Sequence, residues 1–317
     1  MIFKFTKTDG SEEIKTSPTY VSINCLLSAP ADSMTAVFKY SGKYTDYKLV
    51  KVIFDERVIF TGVVDSQKIT VNSKGEYLTV SCRSMAGCLL DNQLQPQNIQ
   101  NITDSVIYER YLKPYGIGIN TVTNKPCISV INIGKGVSVY ELLSEYSYRV
   151  FACEPRIDIF GKAILNGDIN SVNYHFTNGA NAMDKNSFYC TSIEVENSRY
   201  GVISAVYVRN SLNETGYSLK IENENAINRG IEAVRYLDAT PTSGYCTYDA
   251  TRMIKNSNKQ SKTIKVVCPC FVYNALGGNA SVDIEGLLCK NLKINSVSYV
   301  FDKSGVVTTI NMNEKGE

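Results

Sequence analysis

The sequence predicts a mainly β protein with an α+β middle. Two small antiparallel β-barrel domains, at 1–94 and 190–317, would flank a mixed helix and hairpin region at 95–189. Three observations predict this. Short runs rich in Val, Ile, Thr and Tyr alternate apolar with polar residues near both ends of the chain. Clusters of Gly, Asp, Asn and Ser separate those runs, as turns do. The middle instead carries helical periodicity, over about 103–112 and 138–149.

From the start, Ile2-Phe-Lys-Phe-Thr6 reads as a strand and Asp9-Gly10-Ser11 as a turn. Thr19 to Leu27 and Ala36 to Tyr40 are two further strand runs, with Ser28 to Ser33 as the loop between them. Lys39, Lys43, Lys48 and Lys51 suit a solvated edge, where lysines discourage unwanted strand pairing. Ile53 to Val64 predicts a hairpin turning at Asp55-Glu56, with a bulge or tight bend at Thr61-Gly62. Ser73-Lys74-Gly75 turns the chain into Tyr77 to Cys82, where Leu78, Val80 and Cys82 alternate with polar residues. Arg83-Ser84 and a short apolar segment, Met85 to Leu90, close this stretch at Asp91.

In the middle, Thr103 is placed to cap a helix that Pro114 and Gly116 end. Ser138-Val-Tyr-Glu141 is a capping-box pattern, and Val139, Leu142, Leu143 and Tyr146 recur at helical spacing to about Arg149. A hairpin is expected at about 156–165, turning near Phe160-Gly161. Beyond it, Thr191 to Glu196, Val202 to Arg209 and Tyr217 to Glu222 are strand-like. Asn223 to Arg235 fits a short helix or an irregular crossover. Tyr248 to Gln260 reads as a helix with Ala250, Met253 and Ile254 on its apolar face, Thr263 to Val272 as a buried strand, and Asn274 to Ala280 as a turn. The clearest hairpin is the last, Leu292 to Phe301 and Val306 to Met312 about Asp302-Lys-Ser-Gly305, although the facing of its return strand is ambiguous.

Three motifs in this order carry a resemblance: Thr61-Gly62-Val63-Val64-Asp65, then Arg83-Ser84, then Leu89-Leu90-Asp91. With Val139-Tyr-Glu-Leu-Leu143, the Ile157-to-Leu165 hairpin and Ile294-Asn-Ser-Val-Ser-Tyr299, they resemble the baseplate hub proteins of contractile phage tails and phage-tail-like bacteriocins, the late control protein D superfamily. The resemblance touches most of the chain and is loosest over 200–260. It implies a structural hub, a homotrimer in which two related barrels per subunit, 1–94 and 190–312, match a six-fold tail tube above to a three-fold spike below. Tube protein, spike protein and other baseplate proteins are the implied partners. No catalytic, cofactor-binding or metal-binding residue comes with it, and no cofactor.

The chemistry in the sequence agrees with that expectation. The chain has a single histidine, His175, in a strand-like setting, so nucleophilic catalysis with a histidine base has one candidate. There is no HExxH, phosphate loop, GxGxxG or GxSxG pattern. A glycosidase needs two carboxylates across a cleft. Glu141, Glu145, Glu154 and Asp158 are candidates, with Glu141 already used by the capping box and Asp158 by a hairpin edge. A tail-associated peptidoglycan hydrolase is therefore one alternative, although the chain is expected to end at its last hairpin without a spare domain. A carbohydrate-binding tail protein is another, given 21 tyrosines, though their scatter through strands is what β propensity produces.

The totals bound the setting. The 317 residues are 44% hydrophobic and 20% charged, and about two to three domains are expected of an ordered chain this long. A net charge of +2 disfavours binding driven by nucleic-acid phosphates, and no sequence recognition of nucleic acid is expected. No apolar run approaches the length of a membrane span, so stable membrane insertion is not expected. Ten dispersed cysteines, with a strand rather than an export signal at the start, predict free thiols and assembly in the bacterial cytoplasm into a virion or bacteriocin baseplate.

Overall fold

The computed structural model describes residues 1–179, 185–209, 215–238, 246–284 and 287–315. It is mostly β, as the sequence predicts. The chain forms two compact units: one of 1–172, 268–278 and 295–309, the other of 173–267, 279–294 and 310–317.

The first unit is built on seven consecutive strands: β1 (Ile2–Lys7), β2 (Glu12–Thr16), β3 (Tyr20–Leu26), β4 (Ser33–Lys39), β5 (Tyr47–Phe54), β6 (Arg57–Asn72) and β7 (Gly75–Ser84). They pair antiparallel in the order β2-β1-β5-β6-β7-β4-β3, and residues 296–301 of the strand Leu287–Asp302 add to β3. Alternation puts Phe3, Phe5, Val21, Ile23, Met34, Ala36, Phe38, Leu78 and Val80 inside. Phe38 packs edge-on against Phe3, their ring centres 5.0 Å apart, and Phe5 stacks on Tyr47 at 4.4 Å.

The β5–β6 hairpin turns at Asp55-Glu56 as expected. Both residues have positive φ, 50° and 60°, the handedness that a two-residue hairpin demands. The irregularities of β6 differ from the expected bend at Thr61-Gly62. The register shifts instead at Ile59 and at Asp65, on either side of that pair. Gly62 itself lies in regular register opposite Ser84. Its role is close approach: a Cβ there would lie 2.1 Å from the Arg83 carbonyl oxygen and 2.7 Å from the Phe60 ring. The edge strand β2 has no counterpart in the sequence reading, because Glu12-Glu13-Ile14-Lys15 lacks apolar alternation.

Three short helices follow: α1 (Ala86–Asp91), α2 (Asp104–Ile107) and α3 (Val139–Phe151). Thr103 caps α2, and the helical path continues through a π turn and a 3-10 turn to Gly116, whose φ of 71° ends it. Both halves of the predicted capping box are made: Ser138 Oγ accepts from the Glu141 N–H, and Glu141 Oε2 accepts from the Ser138 N–H. Leu89, Ile107, Leu112, Leu142, Leu143 and Tyr146 form the core between these helices. The predicted hairpin pairs Arg156–Ile157 with Lys162–Ile164.

In the second unit, Asn173–Thr177 pairs in parallel with both Ser187–Tyr189 and Asn279–Ile284. A separate sheet sets Ala205–Arg209 between Leu219–Glu222 and Val234–Asp238, with the predicted helix, here Cys246–Asn258, packed through Ala250 and Ile254 on Val206 and Val208. Ser192–Asn197 pairs antiparallel with Lys262–Cys268. The return strand Gly305–Glu314 resolves its facing: Thr308, Ile310 and Met312 are buried.

Candidate functional site

The motif residues meet at one guanidinium. Arg83 closes β7 pointing outward, because Cys82 and Ser84 on either side face the interior. The register shift in β6 brings Asp65 beside it. Nε and Nη2 of Arg83 donate to Asp65 Oδ2 and Oδ1, each at 2.8 Å. Nη1 and Nη2 also donate to Asp91 Oδ1 and Oδ2, at 3.1 and 2.6 Å. Arg83 thus ties the hairpin strand and the end of α1 to β7. Hydrogen bonds to Asp65 and then Asp91 push the guanidinium pKa up, and Arg83 in turn holds the Asp91 carboxyl below the usual range.

A second junction is buried. The Ser84 N–H donates to the Asp32 carbonyl at 2.8 Å, and Ser84 Oγ accepts from the Asp32 N–H at 3.1 Å. The Asp32 carboxylate accepts from Arg156 Nη2, while Arg156 Nη1 donates to the Leu26 carbonyl at 2.8 Å. Burial pushes the Asp32 carboxyl pKa up, and the adjacent guanidinium opposes that shift. These two side chains line a cavity of about 300 Å³ in the first unit, together with Asp158, Lys162, Phe271 and Tyr299. Two of the polar groups there are engaged: Asp158 Oδ1 accepts from the Phe160 and Lys162 N–H groups, which organises the hairpin turn, and Tyr299 donates to the Val272 carbonyl. Burial raises the Asp158 carboxyl pKa.

The carboxylates weighed for hydrolysis are not gathered into one cleft. Of Glu141, Glu145, Glu154 and Asp158, only Asp158 lines the cavity. Glu141 serves the capping box, Glu145 accepts from Arg149 one helical turn on, and Glu154 is exposed. His175 lies mid-strand, with Nδ1 3.0 Å from Ser281 Oγ on the neighbouring strand. Among the described residues, no group of three or more His, Cys, Asp or Glu side chains is placed to hold a metal ion, and no helix is long and apolar enough to cross a membrane. None of the ten cysteines is in a disulfide; Cys88, Cys153 and Cys270 are half-buried and the rest buried.

What the sequence reading missed are surfaces. Among the described residues, β2 pairs only with β1, and Ser192–Asn197 pairs only with Lys262–Cys268, so each presents an open edge. On the outer face beside β2, Lys4 of β1 stands directly opposite Lys51 of β5. Neither lysine has an ion-pair partner among the described residues. Ile14, 60% exposed, continues that row on β2. Along the other open strand, Ser192, Glu194 and Glu196 are exposed, while Ile193 and Val195 are half-buried. Glu194 bridges to Lys265 at 3.1 Å. The signal for the first surface was the charged run Glu12-Glu13-Ile14-Lys15, which reads as a strand only once β1 is known to lie beside it.

The fold is similar to that of solved phage tail proteins. The chain superposes on the 43 kDa tail protein of prophage MuSo2 from Shewanella oneidensis with a TM-score of 0.78 and 15% identity, covering 100% of this chain and 98% of that one. A tail protein from Neisseria meningitidis matches with a TM-score of 0.73 and 14% identity, over 99% and 96% of the two chains. An Escherichia coli component of the type VI secretion system, described as structurally similar to the T4 tail proteins gp27 and gp5, matches at 0.56 and 10% identity, over 96% and 75%. No protein-family model and no curated protein sequence matches the chain.

Proposed function

We propose that this protein is the structural hub of a contractile-tail baseplate. Three copies would form an adapter between a six-fold tail tube and a three-fold spike. The observation that carries this reading is whole-chain agreement with a prophage tail protein, at a TM-score of 0.78 over 100% of one chain and 98% of the other. In this reading, 1–94 and 190–317 are the two barrels, the first also the home of the Arg83 junction, and 95–189 is the region between them. The match to a secretion-system component likened to gp27 and gp5 supports a spike-type partner. Tube, spike and other baseplate proteins are its contacts, and its place is the baseplate of a virion or bacteriocin particle assembled in the bacterial cytoplasm.

The role is architectural rather than catalytic. Three of the four carboxylates considered for hydrolysis are spent on a cap, a helix ion pair and a turn, and Glu154 is exposed. Light scattering of the chain mixed with its spike tests the reading, with three copies per spike trimer expected. Any other stoichiometry rejects the adapter. Clearing of peptidoglycan in a zymogram by the purified chain would favour the hydrolase instead.

A further inference from the structure

The outer face at β2 leaves a defined electrostatic problem. Like charges directly opposite each other on adjacent strands destabilise a sheet, yet Lys4 and Lys51 are so placed with no ion-pair partner among the described residues. Next to them lies a strand edge, unpaired among the described residues, whose outward residues are Glu12, Ile14 and Thr16, so that Ile14 and Thr16 form the part free of negative charge. A free edge presents unmet backbone donors and acceptors, a template for another strand. The Ser192–Asn197 edge has the complementary character: it is also unpaired, and it carries Glu194 and Glu196 on its exposed side. Glu196 has no ion-pair partner among the described residues.

We propose that the Ser192–Asn197 strand of one copy adds to β2 of a second copy, setting Glu194 and Glu196 within reach of Lys4, the nearer member of the Lys4–Lys51 pair. An added strand lies about two strand spacings, about 10 Å, from β1. Extended glutamate and lysine side chains together span that distance across Ile14. Because the two edges differ, the contact is heterologous, and repeating it generates a ring of three if its rotation is three-fold. The inference rests on the trimeric hub reading and assigns its subunit interface. Charge complementarity selects this occupant over a generic strand.

Charge reversal with rescue tests it on the full chain. Lys4→Glu with Lys51→Glu, or Glu194→Lys with Glu196→Lys, is expected to weaken association by about tenfold or more. Combining all four changes is expected to restore it. Sedimentation velocity reads the assembly state, and far-ultraviolet circular dichroism checks each variant for folding. A photo-crosslinking residue at Ile14 gives a second readout independent of the reversals, with peptides containing 192–197 expected as the main product. A wild-type trimer that both reversals leave intact, or a crosslink mapping elsewhere, overturns this interface while leaving the trimeric hub standing. A wild-type chain that stays monomeric even with its spike overturns the hub reading, and this interface falls with it.

Discussion

Arg156 donates to Asp32 from 124 residues away in sequence, and both side chains are almost entirely buried. The pair joins the middle hairpin to the β3–β4 loop, which Ser84 also grips. Losing one partner strands the other's charge. Arg156→Met is expected to destabilise the fold by about 3–5 kcal/mol, whereas Arg156→Met combined with Asp32→Leu recovers most of that loss, because buried pairs barely outweigh their desolvation. Urea unfolding of the two variants and the wild type measures this. Equal loss in both variants would refute it.

Gly62→Ala is expected to be among the most damaging small changes in the chain. The new methyl would meet a backbone carbonyl at 2.1 Å, and backbone cannot yield as a flexible side chain does. A cost of about 3 kcal/mol or more is expected. Gly134→Ala is the control. Nothing lies within 4 Å of its new Cβ, and a gain of about 0.4–1 kcal/mol is expected from a stiffer unfolded chain. Thermal melting of both variants separates crowding from glycine's general flexibility.

The capping box of α3 makes stability depend on acid. Hydrogen bonds from the Ser138 N–H and hydroxyl hold the Glu141 carboxyl below the usual glutamate value. A carboxyl with a depressed folded pKa contributes stability above its unfolded pKa and loses it as pH falls through the folded value. The contribution is therefore full at neutral pH and disappears in the acid range below the glutamate value of about 4.3. Glu141→Gln should flatten that part of the stability–pH curve. An unchanged acid limb in urea titrations would show that the box does not contribute it.

The thiols should separate into two kinetic classes. Cys88, Cys153 and Cys270 are half-buried and are expected to react with a thiol reagent in the folded protein, while the seven buried thiols react only in denaturant. Burial pushes the Cys153 pKa up to about 11, so its labelling should be slow at neutral pH and quicken with alkali. Ten thiols counted in denaturant without reductant complete the test, and a lower count would mean that some pair.

Local chemistry was legible where one segment settles its own structure. Thr103 and Ser138 with Glu141 each act within a few residues and do what their types predict, and Asp55-Glu56 makes the expected polar turn. Pairings across long separations were not. Glu12–Thr16 becomes a strand only because β1 lies beside it. The bend assigned to Thr61-Gly62 moved because Gly62 answers to Arg83, a neighbour in space. Val234–Asp238 gains its strand from parallel pairing with Ala205–Arg209, which no local alternation of its own announces. The junction residues Asp65, Arg83 and Asp91 were visible as motifs, but their convergence on one guanidinium needed the bulge that aims Asp65.

The strand that completes the first sheet sets a timetable for synthesis. β3 finds its outer neighbour in residues 296–301, roughly 270 residues after it has been made. At about 5–20 residues per second, a ribosome needs roughly 15–50 s to deliver that neighbour. Through that interval the nascent chain holds Tyr20–Leu26 with one side unpaired, exposed to misjoining with other nascent chains. Emergence of residues 296–301 is therefore the step that seals the first sheet, and a chain that stops short of them leaves it open to chaperones and proteases instead of assembly.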